Sequence, residues 1–208
     1  MTTAGEPTRS LELLDYRRRV AQLYQQVRDI GGGEEAWRLW TQGRDELFRT
    51  HPQSPIPSDD RATFNGLAYF PYDPAIRFEL PLEPTAEESG TELGHSGKGS
   101  TGFRVIGSVA PPLGDGRERL SVHWLDGYGG GLFLAFRDGT SGSATYGGGR
   151  YLLDTVKGSD LGARGDHLIV DFNFAYHPSC VHSSQWSCPL PPAENRLSFS
   201  VQGGERLT

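Results

Sequence analysis

Residues 64–82 read Phe64-Asn-Gly-Leu-Ala-Tyr-Phe-Pro-Tyr-Asp-Pro-Ala-Ile-Arg-Phe-Glu-Leu-Pro-Leu82, and within them the spacing of apolar residues changes from helical to extended. Inside this stretch, Arg77-Phe-Glu-Leu80 alternates polar with apolar residues, as a strand with one buried face requires. The chain before it has helical periodicity, and the chain after it has the periodicity of short strands. The stretch therefore predicts a helical segment, residues 1–57, docked on a β-rich body, residues 58–208.

Two helices are predicted before this stretch. The first carries one apolar stripe with steps of three and four residues: Leu13, Tyr16, Val20, Leu23, Val27 and Ile30. Gly31-Gly-Gly33 ends that helix, because glycine adopts the left-handed cap at little cost. The second helix begins at Glu34 and is stopped by His51-Pro52, since proline disfavours helix in the residue before it.

The body is predicted to contain eight short strands separated by glycine-rich turns. These strands are Leu67 to Phe70, Ile76 to Leu82, Gly102 to Ala110, Arg119 to Asp126, Gly131 to Arg137, Arg150 to Val156, His167 to Tyr176 and Leu197 to Val201. The polar segment from Glu83 to Ser100 is predicted to be a mobile loop. The fold class is mainly β with an N-terminal helical segment (α+β), and its sheet is an antiparallel β-barrel or a sandwich.

Composition excludes several classes of protein. The formal net charge is −6, which argues against binding to a nucleic-acid backbone. No apolar run reaches the length of a membrane span, and residues 1–10 lack the apolar core of a secretory signal. We therefore expect a cytoplasmic chain without nucleic-acid or membrane partners. Its two cysteines, Cys180 and Cys188, are thiols by default, although their closeness leaves a disulfide open.

The densest cluster of binding chemistry lies in Tyr146-Gly147-Gly148-Gly149-Arg150-Tyr151. Successive glycines expose backbone donors, and an arginine fork suits a carboxylate or phosphate. The tyrosines would add hydroxyls or stacking faces. The alternative is a glycine-rich hairpin whose arginine pairs with a neighbouring carboxylate.

A second group of polar residues is predicted on the strand that begins at His167. Asp171 and Asn173 are two residues apart, so they would share one face of that strand and could point into a cavity. Asp154 could complete a carboxylate pair with Asp171, which would suit general acid–base catalysis. The two aspartates are therefore the weak catalytic candidates.

A metal site is not predicted, although one segment has a suitable composition. His177, Cys180, His182 and Cys188 are ligand types for zinc, but the paired spacings of zinc sites are absent. The sequence identifies no cofactor.

Three blocks of the sequence carry a family resemblance. They are Thr145-Tyr-Gly-Gly-Gly-Arg-Tyr151, Asp171-Phe-Asn-x-Ala-Tyr-x-Pro-x-Cys180 and Cys188-Pro-Leu-Pro-Pro-x-Glu-Asn-Arg-Leu197, and the chain also contains Arg44-Asp45 and Gly203-Gly-Glu205. With them, the chain resembles the bacterial domain of unknown function 1684 family over about residues 10–205. The resemblance implies a bacterial protein with an N-terminal helical segment and a β-rich body, but no activity.

The matching blocks also add candidates for binding. Besides the glycine-rich cluster, the polar residues in these blocks are Asp171, Asn173, Glu194, Asn195 and Arg196. A mutual network of buried polar groups and a ligand pocket would both explain them.

The leading functional hypothesis is a small-molecule-binding barrel for an anionic or polyhydroxylated ligand, with Arg150 as the charge anchor. It predicts that Arg150→Ala leaves the fold intact and removes binding. Alternatives are a hydrolase or isomerase that uses the aspartate pair, a flavin-binding split barrel, and an interaction module that uses the Leu13 to Ile30 stripe. Oligomeric state is not predicted.

Overall fold

A computed structural model describes residues 5–85 and 90–208, and that part of the chain contains two α-helices and eleven β-strands. The helices are α1 (Glu6–Ile30) and α2 (Gly33–Thr50). The strands are β1 (Ala68–Tyr69), β2 (Arg77–Pro81), β3 (Glu83–Pro84), β4 (Gly90–Gly94), β5 (Ser100–Val109), β6 (Leu120–Leu125), β7 (Leu132–Phe136), β8 (Arg150–Asp154), β9 (Ala163–Arg164), β10 (His167–Asp171) and β11 (Glu205–Arg206).

The predicted helices are confirmed. Helix α1 ends at Gly31, whose φ of 90° lies in the left-handed region and whose N–H donates to the carbonyls of Val27 and Arg28. Helix α2 ends at Thr50, immediately before His51 and Pro52. Neither described helix has the length and apolar character of a membrane crossing.

The strands form three antiparallel sheets. The largest has the order β3-β5-β6-β7-β8, with β4 also paired to β5. A second sheet has the order β2-β10-β9, and β1 pairs with β11 in the third. The mainly β, α+β class is therefore confirmed.

The predicted barrel is not observed, because no sheet of the described residues closes on itself. Strand β8 shows the reason. Its outer edge does not meet another strand of its own sheet, since Tyr151 exchanges backbone hydrogen bonds with Tyr176 in the chain that follows β10. Without continuous pairing between the first and last strands, a barrel cannot form.

The predicted mobile loop from Glu83 to Ser100 is wrong for its described part. Residues 83–84 and 90–94 form strands β3 and β4, which both pair with β5. Residues 86–89 lie outside the described part of the chain. Leu93 is the one buried side chain of β4, at 3% exposure. An edge strand with a single buried side chain gives too weak a pattern for detection among glycines and glutamates.

Two strand predictions also need correction. Strand β10 stops at Asp171 rather than Tyr176, because the Asp171 carboxylate accepts from the Asn173 N–H and starts a 3-10 turn. The segment from Leu197 to Val201 forms no strand. Its Val201 N–H donates to the Asp138 carboxylate instead of a neighbouring backbone carbonyl.

The helices and sheets share one hydrophobic cluster. The apolar stripe of α1 packs into it through Val20, Leu23 and Val27. In α2, the fully buried Trp40 contacts the ring of Phe174, with centroids 5.1 Å apart. The middle of the α1 stripe therefore packs into the shared core, whereas Ile30 at its end is exposed. The division at residue 57 stays a prediction.

One core side chain is a weak point of this packing. His123 on β6 is fully buried, and neither of its ring nitrogens makes a hydrogen bond within the described residues. Burial lowers the pKa of His123, and the Glu194 carboxylate and the Ser121 backbone oppose that shift only in part. Burial therefore favours the neutral ring, at the cost of unsatisfied polar atoms.

We expect His123→Leu to raise the free energy of unfolding by about 1–2 kcal/mol at pH 8, because it removes buried polar atoms that have no partner. The gain should grow as pH falls below the ordinary value of 6.5, since the lowered pKa means that the unfolded wild-type chain binds a proton more readily than the folded chain. Urea unfolding at pH 8 and pH 5.5 measures both effects. A loss of stability at both pH values would show that His123 has a structural role that this account lacks.

Candidate functional site

Arg150 lies inside the protein and not at its surface. The side chain is 1% exposed, and it donates to the Asp138 carboxylate at 2.9 Å and to the Val201 carbonyl at 3.0 Å. The Gly203 and Glu205 carbonyls also accept from its guanidinium. Arg150 thus ties β8 to the C-terminal segment, and these contacts are those of a structural network.

The glycines before Arg150 build a tight turn. The Gly149 N–H donates to the Tyr146 carbonyl, and a Cβ on Gly149, whose φ is 96°, would meet the Phe136 carbonyl oxygen at 2.5 Å. Gly147 is exposed, Gly148 is half-buried and Tyr146 is half-buried. Tyr151 is buried, and its hydroxyl donates to the Pro189 carbonyl.

The sequence block from Cys188 to Leu197 contains both buried structural residues and exposed ones. Asn195 is fully buried, where its amide donates to the Ser121 and Ala135 carbonyls and its Oδ1 accepts from the Ser121 N–H. Glu194 and Arg196, on either side of it, are exposed. The predicted residues are therefore not gathered into one pocket.

Asp171 and Asn173 do lie together. Asn173 donates to Asp171 Oδ1 at 2.8 Å through its side chain and at 3.0 Å through its backbone. The same Asn173 amide also donates to the Asp73 carbonyl, at 2.7 Å, and accepts from the Asp73 N–H, at 2.8 Å. Asn173 is thereby fixed, and it holds Oδ1 of Asp171 in place.

The second carboxylate oxygen of Asp171, Oδ2, differs from Oδ1 because it has no hydrogen-bond partner among the described residues. Oδ2 is buried and makes no hydrogen bond within the described residues, and its nearest cation is Arg77 Nε at 3.8 Å. Burial raises the pKa of Asp171 to about 6, although Asn173 and Arg77 act in the opposite direction. A carboxyl with a raised pKa in a cleft is a candidate for function.

Asp171 lines such a cleft, about 200 Å³ in volume, between the end of α1 and the β2-β10-β9 sheet. The lining residues are Val27, Arg28, Gly31, Gly32, Arg77, Leu161, Gly162, Ala163, Arg164, Ile169, Asp171 and Phe174. Among the described residues, this lining includes none of the other predicted ligand-binding residues. We refer to it as the Asp171 cleft.

Three arginines line this cleft together with Asp171. Arg28 donates to the Asp160 carbonyl at 2.7 Å and pairs with the Asp160 carboxylate at 3.3 Å. Arg164 forms an exposed pair with Glu79 at 3.3 Å. Arg77 extends from β2 towards the Gly31 carbonyl, which it contacts at 3.4 Å. Arg28 and Arg164 are thus paired with carboxylates outside the lining, and Arg77, whose pair with Asp171 is longer at 3.8 Å, is the least compensated of the three cations.

The glycines after α1 shape the cleft. Gly32 has a φ of 92°, and a Cβ there would come within 2.8 Å of Arg77 Nε. The position thus needs glycine both for its backbone conformation and for the close approach of Arg77. The glycine run that predicted a helix end also allows the arginine to reach the cleft.

Asp154, the other catalytic candidate, lies elsewhere. It pairs with Lys157 at 2.8 Å and lines a separate cavity of about 150 Å³ beside Phe103 and Phe133. It is not part of the Asp171 cleft lining. The structure therefore does not bring Asp154 and Asp171 into one site.

A buried charge cluster was missed by sequence reasoning. Glu205 pairs with Arg44 at 2.6 Å, accepts from the His177 N–H at 3.0 Å, and lies within 3.5 Å of His182 Nε2. The guanidinium of Arg44 stacks near the Trp40 ring, at 5.0 Å from its centroid. Arg44 and Glu205 both stand in sequence blocks that carry the family resemblance, but their 161-residue separation hides the pairing.

The two cysteines are free thiols. Cys180 is half-buried and Cys188 is 6% exposed. Of the two states left open by the sequence, the thiol state is the one present.

Comparison with known proteins supports the family resemblance. The sequence model of the family described as "Protein of unknown function (DUF1684)" matches residues 62–206. The chain is also similar to the uncharacterized protein from gene locus rrnAC0354 of Haloarcula marismortui, solved in solution by NMR. The two are 35% identical with a TM-score of 0.59, over 84% of this chain and 94% of that chain. Among curated proteins, none matches the chain.

The matched range includes Arg77, Arg164 and Asp171 of the cleft, whereas Arg28 and Gly32 lie before it. Bacterial origin and a cytoplasmic location stay predictions.

Proposed function

The chain belongs to the DUF1684 family of proteins of unknown function, and from its own geometry we propose that it binds a small hydroxylated anion in the Asp171 cleft. Arg77 would bind the anionic group, with Arg28 and Arg164 adding positive charge. Asp171 would accept a hydrogen bond from the ligand hydroxyl at Oδ2. The observation that carries the proposal is a buried carboxylate oxygen without a hydrogen bond, beside an arginine, in a cleft.

Charge favours an anionic ligand over a cationic one. The last carbonyls of α1, which carry partial negative charge, meet the cleft at Gly31, but the first turn of α2 begins beside it, after Gly32. The two helix ends have opposite dipole charges and largely offset each other. Arg77, whose pair with the Asp171 carboxylate is long at 3.8 Å, is then the cation that an anionic ligand would meet in the cleft.

The size of the cleft limits the ligand. Its volume of about 200 Å³ lies below the ~300–1,000 Å³ range that is typical of drug-sized ligands. A molecule with a few heavy atoms, such as a hydroxycarboxylate, suits this space. Because Oδ2 is buried, the cleft should select ligands that carry a hydroxyl group. A ligand without a hydroxyl leaves Oδ2 without a hydrogen bond.

Lactate and propionate provide a direct test, because they share size and charge and differ in one hydroxyl. In calorimetric titrations at pH 7.5, we expect lactate to bind at least about tenfold more tightly than propionate, since a hydrogen bond to a charged group contributes roughly 1.5–3 kcal/mol. Arg77→Gln should weaken both ligands. Arg117→Gln, at an exposed arginine outside the cleft, is the matched control and should change neither.

Equal affinities for lactate and propionate would contradict the role of Asp171. Unchanged lactate binding in Arg77→Gln, or no binding by the wild-type protein, would contradict the site itself.

A second function, proton transfer by Asp171, is favoured by its pKa of about 6, near the value that suits a general acid or base at neutral pH. Here Asp171 would act alone among carboxylates, as a hydrolase or isomerase residue, and Asp154 would have no part. Turnover of hydroxycarboxylates that rises through pH 6 in the wild type and vanishes in Asp171→Asn, with binding retained, would support it. Turnover that survives Asp171→Asn would contradict it. The flavin hypothesis rests only on helices that precede a β-rich body; these are present, but no sheet of the described residues closes into a barrel.

A further inference from the structure

A second cavity is lined by helix α1 together with the C-terminal part of the chain, and it shares no lining residue with the Asp171 cleft. Its volume is about 190 Å³. Leu13, Tyr16 and Arg17 line it from α1, where their spacing of three and four residues places them on one face of the helix. Residues 186–189 line it from the C-terminal part. We refer to it as the Tyr16 cavity.

Contacts with the rest of the protein hold the aromatic walls of the Tyr16 cavity in place. The Tyr16 ring packs edge-on against the buried His51 ring, with centroids 5.1 Å apart. Trp186 packs against the shared hydrophobic cluster, and the neighbouring Pro189 carbonyl accepts from the Tyr151 hydroxyl. The cavity thus presents two aromatic side chains whose positions are already fixed, and a ligand that binds between fixed walls pays little for ordering them.

The charged side chains in the lining of the Tyr16 cavity are both cations. Lys157 is paired with the Asp154 carboxylate at 2.8 Å, and Asp154 is not part of this lining. Arg17 is exposed and makes no hydrogen bond or ion pair within the described residues. Among those residues, no aspartate or glutamate lines the cavity. Arg17 is therefore the cation that an anionic ligand would meet, and its planar guanidinium suits a carboxylate.

From these features we propose that the Tyr16 cavity binds a small aromatic carboxylate. The ring of the ligand packs against Tyr16 and Trp186, and its carboxylate accepts hydrogen bonds from the Arg17 guanidinium. An aromatic ring is favoured over an aliphatic chain because contacts between aromatic rings are more favourable than burial of the same area alone. The volume of about 190 Å³ lies below the ~300–1,000 Å³ that is typical of drug-sized ligands, which limits the ligand to about one ring.

Benzoate and benzamide test the proposal, because they share one ring and similar size and differ in charge. In calorimetric titrations at pH 7.5, we expect benzoate to bind about fivefold more tightly than benzamide, since an ion pair with an exposed arginine gains little more than that. Arg17→Gln should remove this preference. Arg18→Gln is the matched control, because Arg18 is the next exposed arginine of α1 and does not line the cavity.

The Tyr16 cavity and the Asp171 cleft are distinguishable by the same titrations. Arg77→Gln, which changes the Asp171 cleft, should leave benzoate binding unchanged, and Arg17→Gln should leave lactate binding unchanged. Either site can therefore fail its test while the other passes.

Nuclear magnetic resonance locates the bound ring. Trp186→Phe identifies the indole N–H signal of Trp186 among those of the four tryptophans. In the wild type, benzoate should shift this signal more than those of Trp37, Trp40 and Trp124. The proposal is overturned if benzoate does not bind, if benzoate and benzamide bind equally, if Arg18→Gln loses as much affinity as Arg17→Gln, or if another tryptophan shows the largest shift.

Discussion

Replacing Arg150 by alanine is expected to lower the free energy of unfolding by about 3–5 kcal/mol, because it leaves a buried carboxylate without its counter-charge. The Asp138 side chain is fully buried, and its pair with Arg150 is 2.9 Å long. The carbonyls of Val201 and Gly203 would lose a donor in the same step. Urea unfolding at pH 7 measures the loss.

Two comparisons separate this structural role from a binding role. Arg150→Lys keeps the charge but not the planar fork, so it should recover only part of the lost stability. Arg117→Ala, at a side chain that is 88% exposed, should change stability little. An Arg150→Ala protein as stable as the wild type would contradict the structural network and restore Arg150 as a ligand anchor.

The second large effect is expected at Glu205. Glu205→Gln keeps the shape of the side chain but leaves the Arg44 guanidinium buried without a carboxylate, and it should cost about 3–5 kcal/mol of stability. Glu194→Gln, at an exposed glutamate, is the matched control and should have almost no effect. Arg44→Met combined with Glu205→Gln should cost less than the sum of the two single changes, because neither charge is then left alone.

The same glutamate gives the protein an acid-sensitive element. Burial alone would raise the pKa of Glu205, but Arg44, His177 and His182 outweigh it and hold that pKa well below its ordinary value of 4.5. The stability that Glu205 provides is therefore present above pH 4.5 and is lost as pH falls towards its folded pKa. The difference in stability between wild type and Glu205→Gln should shrink below pH 4.5, and a difference that stays constant to pH 3 would contradict this ion cluster.

Local signals in the sequence predict much of this fold. The glycines from Gly31 set the end of α1, and the alternation from Arg77 to Leu80 sets β2, because both depend on neighbouring residues alone. Asp171, which the sequence names as a candidate for a cavity, lines a cleft, and its role there stays a prediction. The residues next to Asp171 in the sequence, however, do not reveal that the Arg77 side chain faces its carboxyl group.

The remaining features depend on contacts between distant segments. Arg77 and Arg28, two cations of the cleft lining, come from β2 and α1 and are not among the predicted site residues. The Arg150 anchor was a reasonable prediction from residue type, but the backbone carbonyls that surround it come from the C-terminal segment. Sheet closure likewise depends on which edges meet, and the alternation of residues does not encode that.

The central claim is that an anion binds beside the Asp171 carboxyl. Sulfate tests it most directly, because its charge does not change between pH 5 and pH 8. Since the pKa of Asp171 is about 6, ionisation above that pH should repel the anion, and we expect sulfate affinity to fall by about tenfold from pH 5 to pH 8. Asp171→Asn should bind sulfate with little dependence on pH. A wild-type affinity that is independent of pH, or the same pH dependence in Asp171→Asn, would contradict the account.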